Sequence, residues 1–250
     1  PPRSTLFPYT TLFRSREGCL LIVNGRDDTR LQTAVLKISN EARGLVYGLP
    51  GDVSKPGEAE AIARNAAETL GGLDLLVCNA GGPPPGAFES FDEEIWQKAI
   101  DLSFMSNVRL IKAALPFLRQ SDSASVLTVT SYSVKQPVAN LVLSNSIRAA
   151  TVGLTKSLAL ELGKDGIRFN SILPAWSETE RVTELMTARA RMNGTSIEEE
   201  IAKQAKESPL GRMASPDEFA NVAVFLLSPA ASYLTGVMLS VDGGMYKGTL

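Results

Sequence analysis

Short apolar runs alternate with stretches of helical periodicity along almost the whole chain, and this pattern limits the fold more than any other feature. Apolar runs of strand length occupy 19–23, 45–49, 74–78, 125–130, 167–173 and 237–241. Several end in turn signals: Asn24-Gly25, Pro50-Gly51 and Asp242-Gly243-Gly244. Helical spacing covers 28–43, 55–70, 142–163, about 196–207 and 216–227, and about 92–119 with a break near its middle. A polar stretch over about 176–195 reads as a mobile region. Strands that alternate with helices of this length form parallel βαβ units with helices on both faces. Ligands of such sheets bind at the carboxyl ends of the strands. Asp52, Asn79–Gly82, Ser131 and Pro174 all follow expected strands, so they are expected to line one edge.

Composition narrows the chemistry. The chain has 250 residues, a net charge of −2 and no histidine. Catalysis by Ser-His-Asp or Cys-His, and metal sites built on histidine, are therefore excluded, and no metal site is expected. Proton transfer must use Tyr, Lys, Ser, a carboxylate or water. The near-neutral charge argues against a nucleic-acid partner, and no apolar run approaches the roughly 18 residues of a membrane span. Cys19 and Cys78 lie in apolar runs and read as buried thiols, which suits a cytoplasmic setting.

The first fifteen residues, PPRSTLFPYTTLFRS, begin without Met and carry neither a signal-peptide core nor a transit pattern. A DNA string resembling a standard short-read sequencing adapter translates to them in order. Residues 1–15 are therefore read as non-native, and 16–250 as one domain whose start is missing, with a substrate lid at about 176–207.

Several motifs occur in order and at set spacings. They are Asp52-Val53, Asn79-Ala80-Gly81, Thr130-Ser131, GLTKSLA at 153–159, RFNSI at 168–172 before Pro174, and Thr235-Gly236 with VDGG at 241–244. Together they resemble the short-chain dehydrogenase/reductase family over 16–250, most nearly its 3-oxoacyl-[acyl-carrier-protein] reductases. The resemblance implies an α/β fold of Rossmann type, a doubly wound parallel sheet in three αβα layers. It also implies a carbonyl or alcohol substrate of small size and a homo-oligomer, tetramer or dimer.

The family's cofactor contacts carry over to named positions. Asp52 would accept from the adenine amino group, with the backbone of Val53 beside it. Asn79, Ala80 and Gly81 would pass their backbone against the adenosine ribose. Pro174 and the segment to Thr179 would hold the nicotinamide, with Thr179 on its carboxamide. Members that prefer NAD carry an acid at the exit of the second strand. Here Gly25 takes that place and Arg26 follows. A guanidinium suits a 2′-phosphate, so NADP(H) is expected over NAD(H).

The chain departs from the family pattern twice. The first strand and its Gly-rich turn are absent, which would leave a gap between the strands at 19–23 and 74–78 and weaken cofactor binding. The catalytic residues also differ. Ser131 matches the family's Ser, but Ser144 stands at the Tyr, Arg148 at the Lys and Ser103 at the upstream Asn. Ser144 and Arg148 are four residues apart and share a helix face. A serine hydroxyl is a far weaker acid than a phenol, and arginine cannot relay a proton. Arg148 is left to bind a ribose, a carboxylate or a developing oxyanion. Tyr132 is an alternative proton donor. Three readings stay open: a carbonyl reductase with a rearranged proton donor, a nucleotide-binding protein without redox turnover, and a non-redox enzyme on the same fold.

Overall fold

The computed structural model describes residues 3–5, 18–41 and 44–249. Its parallel sheet has the order β3-β2-β1-β4-β5-β6-β7 among those residues. The strands are β1 (Arg3–Thr5), β2 (Leu20–Gly25), β3 (Val46–Pro50), β4 (Leu75–Cys78), β5 (Ser125–Val129), β6 (Arg168–Pro174) and β7 (Met238–Val241). The helices between them are α1 (Asp28–Ser39), α2 (Glu58–Leu70), α3 (Glu93–Ile100), α4 (Ser106–Leu118), α5 (Val142–Leu162), α6 (Glu180–Asn193), α7 (Ile197–Ala205) and α8 (Pro216–Leu227). The expected alternation and the three-layer α/β architecture are both present.

Period-two alternation assigns each strand residue to a layer. In β4, Leu76 and Cys78 face a core shared with Ile62 of α2 and Leu110, Ile111 and Ala114 of α4. Leu75 and Val77 face the opposite core, with Ala223, Leu226 and Leu227 of α8. All four are buried, as expected of a strand covered on both faces. None of the described helices is long and apolar enough to cross a membrane.

Two expectations are corrected. The gap expected beside β2 is spanned by Arg3–Thr5, which pairs with β2 at Leu20, Leu21 and Ile22 and with β4 at Leu75 and Leu76. Three residues of extended backbone satisfy a parallel ladder whatever their side chains, because the ladder is made by main-chain groups. The Gly-rich turn would fall at 6–17, outside the described residues. Second, the polar stretch at 176–195, read as a mobile region with no helix assigned, holds α6 over most of its length. The Thr179 hydroxyl caps its first turn, and Gly194 ends it in the left-handed conformation at φ 66°. Its apolar stripe is narrow, Val182, Leu185, Met186 and Ala190 among many charged residues, and was overlooked in the sequence.

The break near the middle of 92–119 is a π-helical turn, Asp101–Met105, joining α3 to α4. Such turns insert one residue and occur often at functional sites. Ser103 sits in it.

Candidate active site

Because every described strand is parallel to its neighbours, the carboxyl ends share one edge. Asn79 follows β4, Thr130-Ser131 follows β5, Pro174 ends β6, and Asp52 lies just past β3. The edge predicted from the spacing is therefore formed.

At one end of it, Asp52 Oδ1 accepts from the Ser54 amide at 2.9 Å and the Ser54 hydroxyl at 2.7 Å. Burial pushes the Asp52 pKa up, but these bonds and the charges of Arg26 and Lys55 outweigh it and leave it lowered. The carboxylate is ready to accept a hydrogen bond at neutral pH. Arg26 is exposed at the exit of β2. Asn24 ties that exit to the next, donating to the Leu49 carbonyl at 2.8 Å and the Gly51 carbonyl at 3.1 Å. A Cβ at Gly25 would meet only Leu31, at 3.6 Å, so packing does not require glycine there. The Val53 side chain packs on the core beside α2 and α4, leaving its backbone for any ligand contact. Asn79 and Ala80 are half-buried and Gly81 is exposed.

The four residues expected at catalytic positions come from three elements. Ser131 caps a short turn, its hydroxyl accepting from the Ser133 amide at 3.2 Å. Arg148 Nη1 donates to the carbonyls of Val129 and Thr130, both at 3.1 Å, which places the guanidinium under the strand end that carries Ser131. Its Nη2 faces the loop after β4, where a Cβ on Gly82 would lie 3.6 Å away. Burial alone lowers the Arg148 pKa, with no charged neighbour contributing. Ser144, one helical turn earlier, is half-buried, and its hydroxyl has no hydrogen-bond partner among the described residues. Ser103 is buried and donates to the Gly81 carbonyl at 3.4 Å, linking the π turn to the loop after β4.

Sequence reasoning missed Thr151 and Asn107. The Ser103 carbonyl accepts from Asn107 Nδ2 at 2.8 Å and from the Thr151 hydroxyl at 3.0 Å, so α4 and α5 are both fastened to the π turn. Part of the signal was present: Ser144, Arg148, Thr151 and Thr155 recur at helical spacing and so share one face of the helix.

Tyr132 is turned elsewhere. It is buried, and burial raises its pKa first of all. Its hydroxyl lies beside the Trp176 indole in the field of Glu207, Arg189 and Asp242. The Trp176 Nε1 is buried without a hydrogen bond of good geometry, and the Arg189 guanidinium sits 5.2 Å over its ring. Next to it, a cavity of about 110 Å³ is lined by Trp176, Gln204, Met213, Val241, Asp242 and Met245. None of Ser103, Ser131, Ser144 and Arg148 lines that cavity. Thr179 stands at the first turn of α6, its Oγ1 accepting from the Val182 amide at 3.4 Å and its own proton left for another acceptor.

A family model described as "Enoyl-(Acyl carrier protein) reductase" matches residues 12–246. D-beta-hydroxybutyrate dehydrogenase of Cupriavidus necator is 34% identical over 230 residues, covering 91% of this chain and 88% of the relative. Among solved structures, L-sorbose reductase from Gluconobacter frateurii, complexed with NADPH and L-sorbose, superposes with a TM-score of 0.93 at 28% identity, over 99% of this chain and 97% of the other. An NADPH-bound short-chain oxidoreductase from Pseudomonas aeruginosa PAO1, described as containing an atypical catalytic center, reaches a TM-score of 0.88 at 27% identity, over 98% and 96%.

Proposed function

Since the chain belongs to the short-chain dehydrogenase/reductase family, we propose that it is an NADP(H)-dependent reductase of a small carbonyl substrate of 3-oxoacyl type. The observation that carries the reading is the shared edge, with Asp52 and Arg26 at one end and Ser131 and Arg148 at the other. The described residues fit the cofactor. The lowered Asp52 carboxylate suits an adenine amino group, exposed Arg26 a 2′-phosphate, and the Thr179 hydroxyl a carboxamide. Asn79, Ala80 and Gly81 offer their backbone to the ribose, and Pro174 bounds the nicotinamide end. Structural relatives that hold NADPH support the cofactor class.

When bound, the nicotinamide supplies or takes the hydride at the carbonyl carbon. The chain's own part is to hold the oxygen. Ser131 and Ser144 hydroxyls donate to it, and the fixed charge of Arg148 favours the negative charge that grows there. Neither Ser144 nor Arg148 is an acid near neutral pH, so the proton that completes the alcohol comes from solvent through a hydroxyl. We place the protein in the cytoplasm as a homo-oligomer.

The test is calorimetric titration with NADPH and NADH, followed by turnover on a panel of 3-oxoacyl thioesters and simple ketones. Tighter binding of NADPH with turnover supports the reading. Binding with no turnover on any carbonyl supports the second reading, a nucleotide-binding protein without redox activity, which the loss of the phenol at 144 favours. Absence of nucleotide binding overturns both.

A further inference from the structure

Three arginines are largely withdrawn from solvent without being fully buried, and their partners differ. Arg109 pairs with Asp101 at 2.8 Å and donates to the Ser54 carbonyl at 2.7 Å. Arg168 has no acid, but its two terminal nitrogens donate to four carbonyls, those of Leu226, Leu227, Ser228 and Leu234. The first three belong to the carboxyl end of α8, whose dipole favours a cation. Arg148 alone has neither arrangement. Its Nη1 holds two carbonyls, while Nη2 and Nε have no acceptor and no carboxylate stands near among the described residues. A guanidinium largely withdrawn from water in this way is costly, because it has lost hydration without gaining a counter-charge.

The free edge is not turned into the core. Nη2 faces Gly82, in the loop that follows β4, at the carboxyl edge of the sheet where Ser131 and Ser144 lie. A glycine there leaves the approach to the guanidinium open. The planar fork of Nη2 and Nε matches a carboxylate with two parallel hydrogen bonds.

We propose that Arg148 is a specificity residue that pairs with a carboxylate of the substrate, so that the substrate class is a small oxo or hydroxy acid in its free acid form. This rests on the reading of the site as a carbonyl reductase and departs from it in the acyl group, where a free carboxylate takes the place of the thioester, which cannot supply the missing charge.

The experiment compares acetoacetate with its neutral methyl ester by calorimetry, on the protein alone and saturated with NADP+. Wild type binds the acid in preference to the ester. Arg148→Gln lowers acid affinity by about tenfold or more and so removes most of the preference for acid over ester, and Arg148→Lys falls between, keeping charge but losing the fork. Equal binding of acid and ester by wild type, or binding of neither, overturns the inference, and so does an acid preference that survives Arg148→Gln. Loss of NADP+ affinity in Arg148→Gln with the acid preference intact assigns Arg148 to the cofactor instead. Should Arg148→Gln fail to fold, the wild-type comparison and Arg148→Lys still decide. Intact NADP+ binding without acid preference sinks this inference alone, whereas absent NADP+ binding in wild type sinks the reductase reading.

Discussion

Arg148 Nη1 donates to the Thr130 carbonyl at 3.1 Å, one residue before Ser131, so a helix and a strand end are held as one unit at the site. Arg148 puts a cation on this helix face and ties it to the backbone through a rigid fork, so the charge there is fixed and carries no movable proton.

Cofactor preference should be reversible at a single position. Gly25→Asp places an acid where ribose hydroxyls would lie and beside the proposed 2′-phosphate contact. Leu31 at 3.6 Å tolerates the new Cβ. The ratio of NADPH to NADH affinity should fall by about tenfold or more, the scale of one charge-assisted contact, measured by fluorescence titration. An unchanged ratio would remove Arg26 from the cofactor site.

Tyr132→Phe should leave turnover within about twofold of wild type, because hydroxyls remote from the reacting atoms do not enter the transition state. The Tyr132 hydroxyl lies beside Trp176, away from Ser131 and Ser144. A fall of about a hundredfold, the range of a lost general acid, would instead make Tyr132 the proton donor.

Asn170 fastens β6 to the segment before β7. Its Nδ2 donates to the Leu234 carbonyl at 2.9 Å, and its Oδ1 accepts from the Val237 amide at 3.0 Å. The side chain is buried, so Asn170→Ala leaves two main-chain groups without partners and should cost about 2–4 kcal/mol, read from urea unfolding.

The α6–α7 pair should loosen in acid. Glu200 accepts from Lys203 at 2.8 Å, Thr195 at 2.7 Å and Asn193 at 3.2 Å, and these bonds hold its carboxyl at about 2 against an ordinary 4.5. A folded value below the unfolded one means stability present above pH 4.5 and lost as pH falls toward 2. Hydrogen exchange of α6 and α7 should therefore quicken across that window in wild type. In Glu200→Gln the pH dependence should flatten, and a persisting slope would point to other carboxylates.

Strand and helix order was legible because the central strands are largely buried on both faces and read as mainly apolar runs between helical stretches. The common edge followed from parallel topology, which placed Asp52, Asn79, Ser131 and Pro174 correctly. The helix α6 was missed although Thr179 and Gly194 mark its ends, because its narrow apolar stripe, Val182, Leu185, Met186 and Ala190, is diluted by charged residues. Thr151 could be placed on the face of Ser144 and Arg148 by helical spacing, but its partner could not. The contact joins residues 48 apart and is made to the Ser103 main-chain carbonyl, which no side-chain pattern reports. The direction of Tyr132 was equally invisible, because it depends on Trp176 arriving from a different strand end.

The π turn at 101–105 also acts as a phase adjuster. Before it, Ile95 and Trp96 of α3 pack on Leu143 and Ile147, whereas after it Leu110 and Ile111 of α4 pack on the sheet and α2. One extra residue rotates the following helix by about 100° relative to an uninterrupted one. Deleting any single residue of the turn would restore a regular helix and swing one of these two apolar faces off its partner. The segment is thus locked in length as well as in sequence, and an insertion or deletion there should harm the protein more than most substitutions within it.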